Sequence, residues 1–177
     1  MFEKGCLVMQ SIKRGFKFIL LLLFFFPLVA MAKNQVVNYE PKEVKLTGVI
    51  KNLQFPGPPN YESIEKGDAD ETGPYLVLDN PIDVMPESKS KKYEEDTPEK
   101  NVKLIQLVVE NKQDWKKVRE GNQVEVSGTL FHSHTGHHHA RVLLTLKKIS
   151  VISRQKTVSK DKDLDITSED KEFINRK

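Results

Sequence analysis

Two long stretches of alternating apolar residues, 123–134 and 138–151, flank Thr135-Gly136, and all five histidines of the chain lie between His132 and His139. Side chains alternate faces along a strand, so the pair predicts a β-hairpin whose register decides which residues enter the core. If Thr135-Gly136 is a two-residue loop, His134 faces His137 and His132 faces His139, which sets four imidazoles on one surface. That register puts Ala140, Val142, Leu144 and Leu146 on the face opposite Val124, Val126 and Leu130. A three-residue loop, 135–137, pairs His134 with His138 and aligns the two apolar stripes. Burial of each large apolar side chain contributes about 1.5–3 kcal/mol, which favours the second register. A bulge at Gly128 would reverse the choice, because it flips the face of everything before it.

Further strand signals precede the hairpin. Residues 44–53 alternate through Val44, Leu46, Gly48 and Ile50, and 75–78 and 102–109 are apolar or β-branched runs. Phe55-Pro56-Gly57-Pro58-Pro59-Asn60-Tyr61 lacks three backbone donors and predicts a rigid surface loop. Asp79-Asn80-Pro81 predicts a turn at the end of the second strand, and the lysine- and glutamate-rich segment 86–101 predicts a charged mobile loop. A short helix is expected over 111–120, with Trp115 and Val118 on its buried face and Gly121 as its stop. Five strands with a helix between the third and fourth predict a mainly β fold, a small five-stranded OB-like barrel, with a β-sandwich as the alternative. The domain is expected over 42–152, followed by a charged, disordered or frayed tail over 153–177.

Residues 1–32 read as a signal peptide. Lys4, Lys13, Arg14 and Lys17 precede the apolar run 18–29, and Ala30-Met31-Ala32 suits cleavage after Ala32. The run is short beside the roughly 20 apolar residues of a membrane span. The single cysteine, Cys6, falls in this leader, so the exported chain is expected to carry no disulfide and no lipid-bearing thiol. The leader also takes four basic and one acidic residue from totals of 28 and 25, which leaves the remainder formally neutral. The basic balance of the whole chain therefore belongs to targeting and argues against a nucleic-acid partner. The expectation is a periplasmic or secreted protein without a membrane span.

The histidines carry the most specific chemistry. In the aligned register His132, His134 and His138 share one face, His137 occupies the turn and His139 lies on the far side. Neutral imidazole is a common ligand for zinc, copper and nickel, so the trio predicts a divalent transition-metal site, with His137 and His139 as auxiliary ligands. Asp79 is a candidate carboxylate ligand. Water or a partner's group could complete the shell. The bland alternative is a polar hairpin tip that stacks and hydrogen-bonds without metal, and a third is a pH-sensitive surface. No catalytic set assembles: no thiol nucleophile is available, and Ser133 points away from His132 and His134 on a strand. The spacing Asp161, Asp163, Asp165, Glu169, Glu172 copies a calcium loop, but its sixth position is Ile166 where the turn needs glycine.

The phrase Gly128-Thr129-Leu130-Phe131-His132-Ser133-His134-Thr135-Gly136-His137-His138-His139, followed by the apolar residues 142–146, resembles a family of small exported bacterial proteins. That family is described as the domain of unknown function 4431 and carries a G-T-L-F-H-x-H-T-G-H-H-H phrase. The resemblance implies a bacterial envelope protein, expected in the periplasm, and brings no activity with it. Three readings follow: a binding module for a divalent transition metal; a metal-free OB-like interaction domain for a protein or saccharide; and, with least support, a metal-dependent hydrolase.

Overall fold

A computed structural model describes residues 33–87, 97–154 and 164–176. The apolar alternation is realised as burial. β2 (Glu43–Leu53) hides every second residue from Val44 to Ile50, and β5 (Asn122–His132) does the same from Val124 to Leu130. With β1 (Gln35–Asn38), β3 (Gly73–Met85), β4 (Glu99–Val108) and β6 (Val142–Arg154) they form one mixed sheet in the order β1-β3-β2-β5-β6-β4, in which β4 also pairs with β3. The β1–β3 and β4–β6 pairs are parallel and the others antiparallel. Leu46, Ile50, Leu76, Val84, Ile105, Val124, Leu130, Leu144 and their neighbours make the main core.

The result is a mainly β domain of six strands in one sheet where the sequence predicts a five-stranded barrel. The extra strand, β1, precedes residue 42. It joins because Val37 and the following Tyr39 have apolar surface to bury, and both do so. The expected turn at Asp79-Asn80-Pro81 lies inside β3 instead. Pro81 cannot donate to a ladder, and the β3–β4 register breaks between Val77 and Ile82. The charged loop is shorter than predicted, since Glu99, Lys100 and Asn101 already belong to β4; positions 88–96 lie outside the described residues.

The helix expected over 111–120 is a single 3-10 turn, Asp114–Lys116. Only Val118 of its two apolar residues reaches the core, whereas Trp115 is 49% exposed, so one anchor does not support a longer helix. The tail, in turn, is more ordered than composition predicts. Residues 153–154 end β6, and α1 (Ser168–Asn175) follows, capped by Thr167, whose hydroxyl accepts from the Asp170 N–H at 3.3 Å. Leu164, Ile166 and Ile174 pack on a second core of Phe55, Tyr75, Leu104 and Ala140.

Two glycines fix the sheet. A Cβ on Gly48 would lie 2.2 Å from the Val77 carbonyl oxygen, and one on Gly128 would lie 2.1 Å from that of Thr145. Opposite Gly128 the register shifts: Ser127 faces Lys148 but Gly128 faces Leu146, leaving Lys147 as an extra residue on β6. Among the described residues no helix is long and apolar enough to cross a membrane. The predicted signal peptide and the start of the calcium-like spacing, Asp161 and Asp163, lie outside the described residues.

Candidate functional site

The hairpin opens earlier than predicted. β5 ends at His132, which faces Val142, so residues 133–141 form the connection and the expected ladder pair His134–His138 does not exist. The stripes nevertheless align as predicted, with Leu130 facing Leu144. Shifting register by two residues keeps every side chain on its face, so the core does not resist the longer loop. The loop is held instead by bonds of its own: Ser133 N–H to the Arg141 carbonyl at 3.1 Å and His138 N–H to the Thr135 carbonyl at 3.2 Å.

This loop sorts the five histidines into three places. His132 lies against Glu99, Nε2 to Oε1 at 3.1 Å, with Thr97 Oγ1 at 3.3 Å and the Tyr39 ring at its edge. His134 and His138 meet edge to face, ring centroids 4.6 Å apart, and Phe131 packs beside both. The His134 N–H donates to His138 Nδ1 at 3.1 Å. His137 and His139 converge on Glu71, His137 Nδ1 on one carboxylate oxygen and His139 Nε2 on the other at 2.7 Å. The predicted trio is thus divided, while the two auxiliary histidines share a carboxylate. Asp79 is with none of them. It accepts from Gln123 Nε2 at 2.9 and 3.0 Å, at the opposite end of β5 from His132.

His139 is the most constrained. Its residue is 2% exposed, its ring stacks on Phe55 at 4.4 Å with planes 4° apart, and its N–H donates to Gln106 Oε1 at 2.7 Å. Gln106 Nε2 in turn donates to the His137 carbonyl. In the neutral ring Nε2–H donates to Glu71 and Nδ1 is left as an acceptor, and this buried Nδ1 has no hydrogen-bond partner among the described residues. His139 lines a cavity of about 260 Å³ together with Phe55, Pro56, Tyr61, Gly136 and Arg176. The proline loop therefore forms one wall, the hairpin tip another, and Arg176 after α1 a third. Gly136 is needed here because a Cβ would meet the Tyr61 ring at 2.8 Å.

Carboxylates absent from the sequence reading organise the site. Burial pushes the Glu71 carboxyl upward, but the hydrogen bonds from His139 and His137 outweigh it and hold it below the usual glutamate range. Glu99 behaves alike, burial being overcome by His132 and Arg141. Tyr75, buried and near Glu71, is pushed well above the ordinary phenol range. Arg141 spans Glu99 through Nη1 at 2.7 Å and the buried Asp170 through Nε at 3.0 Å and Nη2 at 2.7 Å. Glu71 follows a turn, and nothing in its local sequence marks it. Thr167-Ser168-Glu169-Asp170, by contrast, is a capping pattern at the helix start, a local signal that the charged composition of the tail obscured.

Chemically, the tip offers a small aromatic-walled cavity with one unpaired ring nitrogen, one guanidinium and a histidine-bound carboxylate. Among the described residues no group of three or more His, Cys, Asp and Glu side chains is arranged to hold a metal ion. The contacts of Glu71 with its two histidines have hydrogen-bond spacing. Ligand atoms about 2.0–2.1 Å from a tetrahedral zinc would stand roughly 3.3 Å apart.

Neither the curated proteins nor the solved structures give a match to the chain. A family model does match, over residues 104–150, from within β4 through the histidine segment to near the end of β6. The matched model is described as Domain of unknown function (DUF4431), and the likeness is to this segment of the chain.

Proposed function

We propose that the protein is an exported, periplasmic or secreted binding module, OB-like in connectivity, that takes a small hydroxyl-bearing ligand of the saccharide class between the proline loop and the hairpin tip. The pairing of β4 with both β3 and β6 gives each of β2 to β6 at least two strand neighbours, which supports the OB-like reading. One observation carries the ligand: the buried Nδ1 of His139, a residue of the cavity wall, which is unpaired among the described residues. A buried polar atom without a partner costs about 1–3 kcal/mol, which a ligand hydroxyl would recover. Tyr61 supplies an aromatic surface for a sugar ring and Arg176 a donor for an oxygen-rich group.

Ligand-observed NMR with a panel of neutral and acidic mono- and oligosaccharides tests this. Binding that is lost in Tyr61→Ala and in Arg176→Ala supports it. A panel that produces no signal at millimolar concentration, or binding untouched by both substitutions, overturns it.

A second reading is favoured by Glu71, His137 and His139: two imidazoles and a carboxylate suit a divalent transition metal, zinc first, with copper and nickel as alternatives. The ion would replace the protons now shared with Glu71 and drive the three side chains apart. Zinc titration of wild type beside Glu71→Gln separates the readings, since one-to-one uptake abolished by the substitution is expected only for the metal.

A further inference from the structure

Trp115 was expected to anchor a helix and instead stands 49% exposed on the 3-10 turn before β5. Its position is not isolated. The register of β5 with β6 breaks a second time between Gln123 facing Ser153 and Val124 facing Val151, which makes Ile152 the extra residue of that step. Ile152 is 59% exposed. Between the turn and this end of β6 lies a cavity of about 240 Å³ lined by Lys116, Lys117, Arg119, Asn122, Val151 and Arg154. Trp115 and Ile152 are chain neighbours of residues on its two sides.

Four cations around one depression repel one another unless something answers them. Asp114 answers Lys117, Oδ1 to Nζ at 2.8 Å. Among the described residues no carboxylate lies within ion-pair distance of Lys116, Arg119 or Arg154, and all three are exposed. A single exposed apolar side chain is ordinary on a protein surface. An exposed indole and an exposed isoleucine bracketing three unanswered cations form a different pattern. Trp favours the boundary between water and hydrocarbon, and Lys and Arg near a bilayer are drawn to anionic headgroups.

We propose that this end of the sheet docks on an anionic lipid bilayer, with Lys116, Arg119 and Arg154 at the headgroups and Trp115 and Ile152 inserted at the boundary below them. A soluble polyanion would satisfy the cations but leaves the two apolar side chains in water. The patch lies on different elements from the hairpin cavity and does not depend on its ligand.

The test uses residues 33–177, which form one compact unit with the whole sheet and α1 and exclude the apolar run 18–29, itself able to enter bilayers. Trp115 is the chain's only tryptophan, so its fluorescence reports on the patch directly. Vesicles of phosphatidylglycerol and phosphatidylcholine are expected to shift the emission to the blue and sediment the protein at low salt; pure phosphatidylcholine is expected to do neither. Lys116→Ala/Arg119→Ala/Arg154→Ala, with thermal unfolding as the control for folding, should weaken partitioning on the order of 100-fold. Unshifted emission with anionic vesicles, or partitioning unchanged in the triple variant, overturns the proposal. So does equally strong binding to heparin with no change in Trp115 emission, which would identify a soluble polyanion as the partner.

Discussion

Arg141 and Asp170 meet through two charge-assisted bonds, Nε to Oδ1 at 3.0 Å and Nη2 to Oδ1 at 2.7 Å, in a place where neither is more than 8% exposed. The second Asp170 oxygen accepts the N–H groups of Lys103 and Leu104 at 2.7 and 3.0 Å. The pair joins α1 to β4 and to the root of the histidine loop. Breaking such a pair from one side strands a buried charge, so Asp170→Ala is expected to cost about 3–5 kcal/mol. Arg141→Met/Asp170→Leu should cost less than the sum of its two single changes. Chemical denaturation of the four proteins checks this, and equal, additive losses would contradict it.

Gly128→Ala should destabilise by about 3 kcal/mol or more, because its Cβ would meet backbone that cannot move without parting β5 from β6. Gly73→Ala is the control. Its Cβ would find only the Tyr75 ring at 3.9 Å, and its midpoint in denaturant should shift little.

Acid should weaken the fold through Glu71 and Glu99. Both titrate below their ordinary value of 4.5 when folded, so the unfolded chain binds more protons in that range. Their contribution is complete above about pH 4.5 and is lost as pH falls toward their folded values. The stability difference between wild type and Glu71→Gln, measured by urea titration, should therefore hold above that point and shrink below it. A difference that grows in acid would contradict the sign.

Trp115→Ser should change stability by no more than about 0.5 kcal/mol, since the indole is half exposed. A loss of several kcal/mol would restore it to the core.

Period-two burial made β2, β5 and β6 legible, and the aligned face of Leu130 and Leu144 followed from it. Periodicity does not reach the rest. β1 is four residues long and gains its place from a partner strand far along the chain. The loop that divides the histidines is set by Glu71, 66 and 68 residues before His137 and His139, and by Gln106, 33 before His139. Such anchors leave no mark in the hairpin's own sequence. Trp115 misled for another reason: spacing from Val118 predicts a shared face, but only Val118 finds a core to enter.

Lys147 gives β6 a change of phase. Before it the inward residues are Val142, Leu144 and Leu146; after it they are Ile149 and the partly buried Val151. The strand behaves like two rulers of the same pitch glued together half a division out of step, with the joint at one residue. A single deletion at that joint would cancel the offset and leave one unbroken alternation, whereas a deletion farther along the strand would reverse inside and outside for everything between it and the joint. Composition would be nearly untouched and the hydrophobic content preserved, yet that stretch would face its apolar side to water. Tolerance of this chain to small insertions and deletions is therefore governed by where the joint falls, and substitution scans alone would not reveal it.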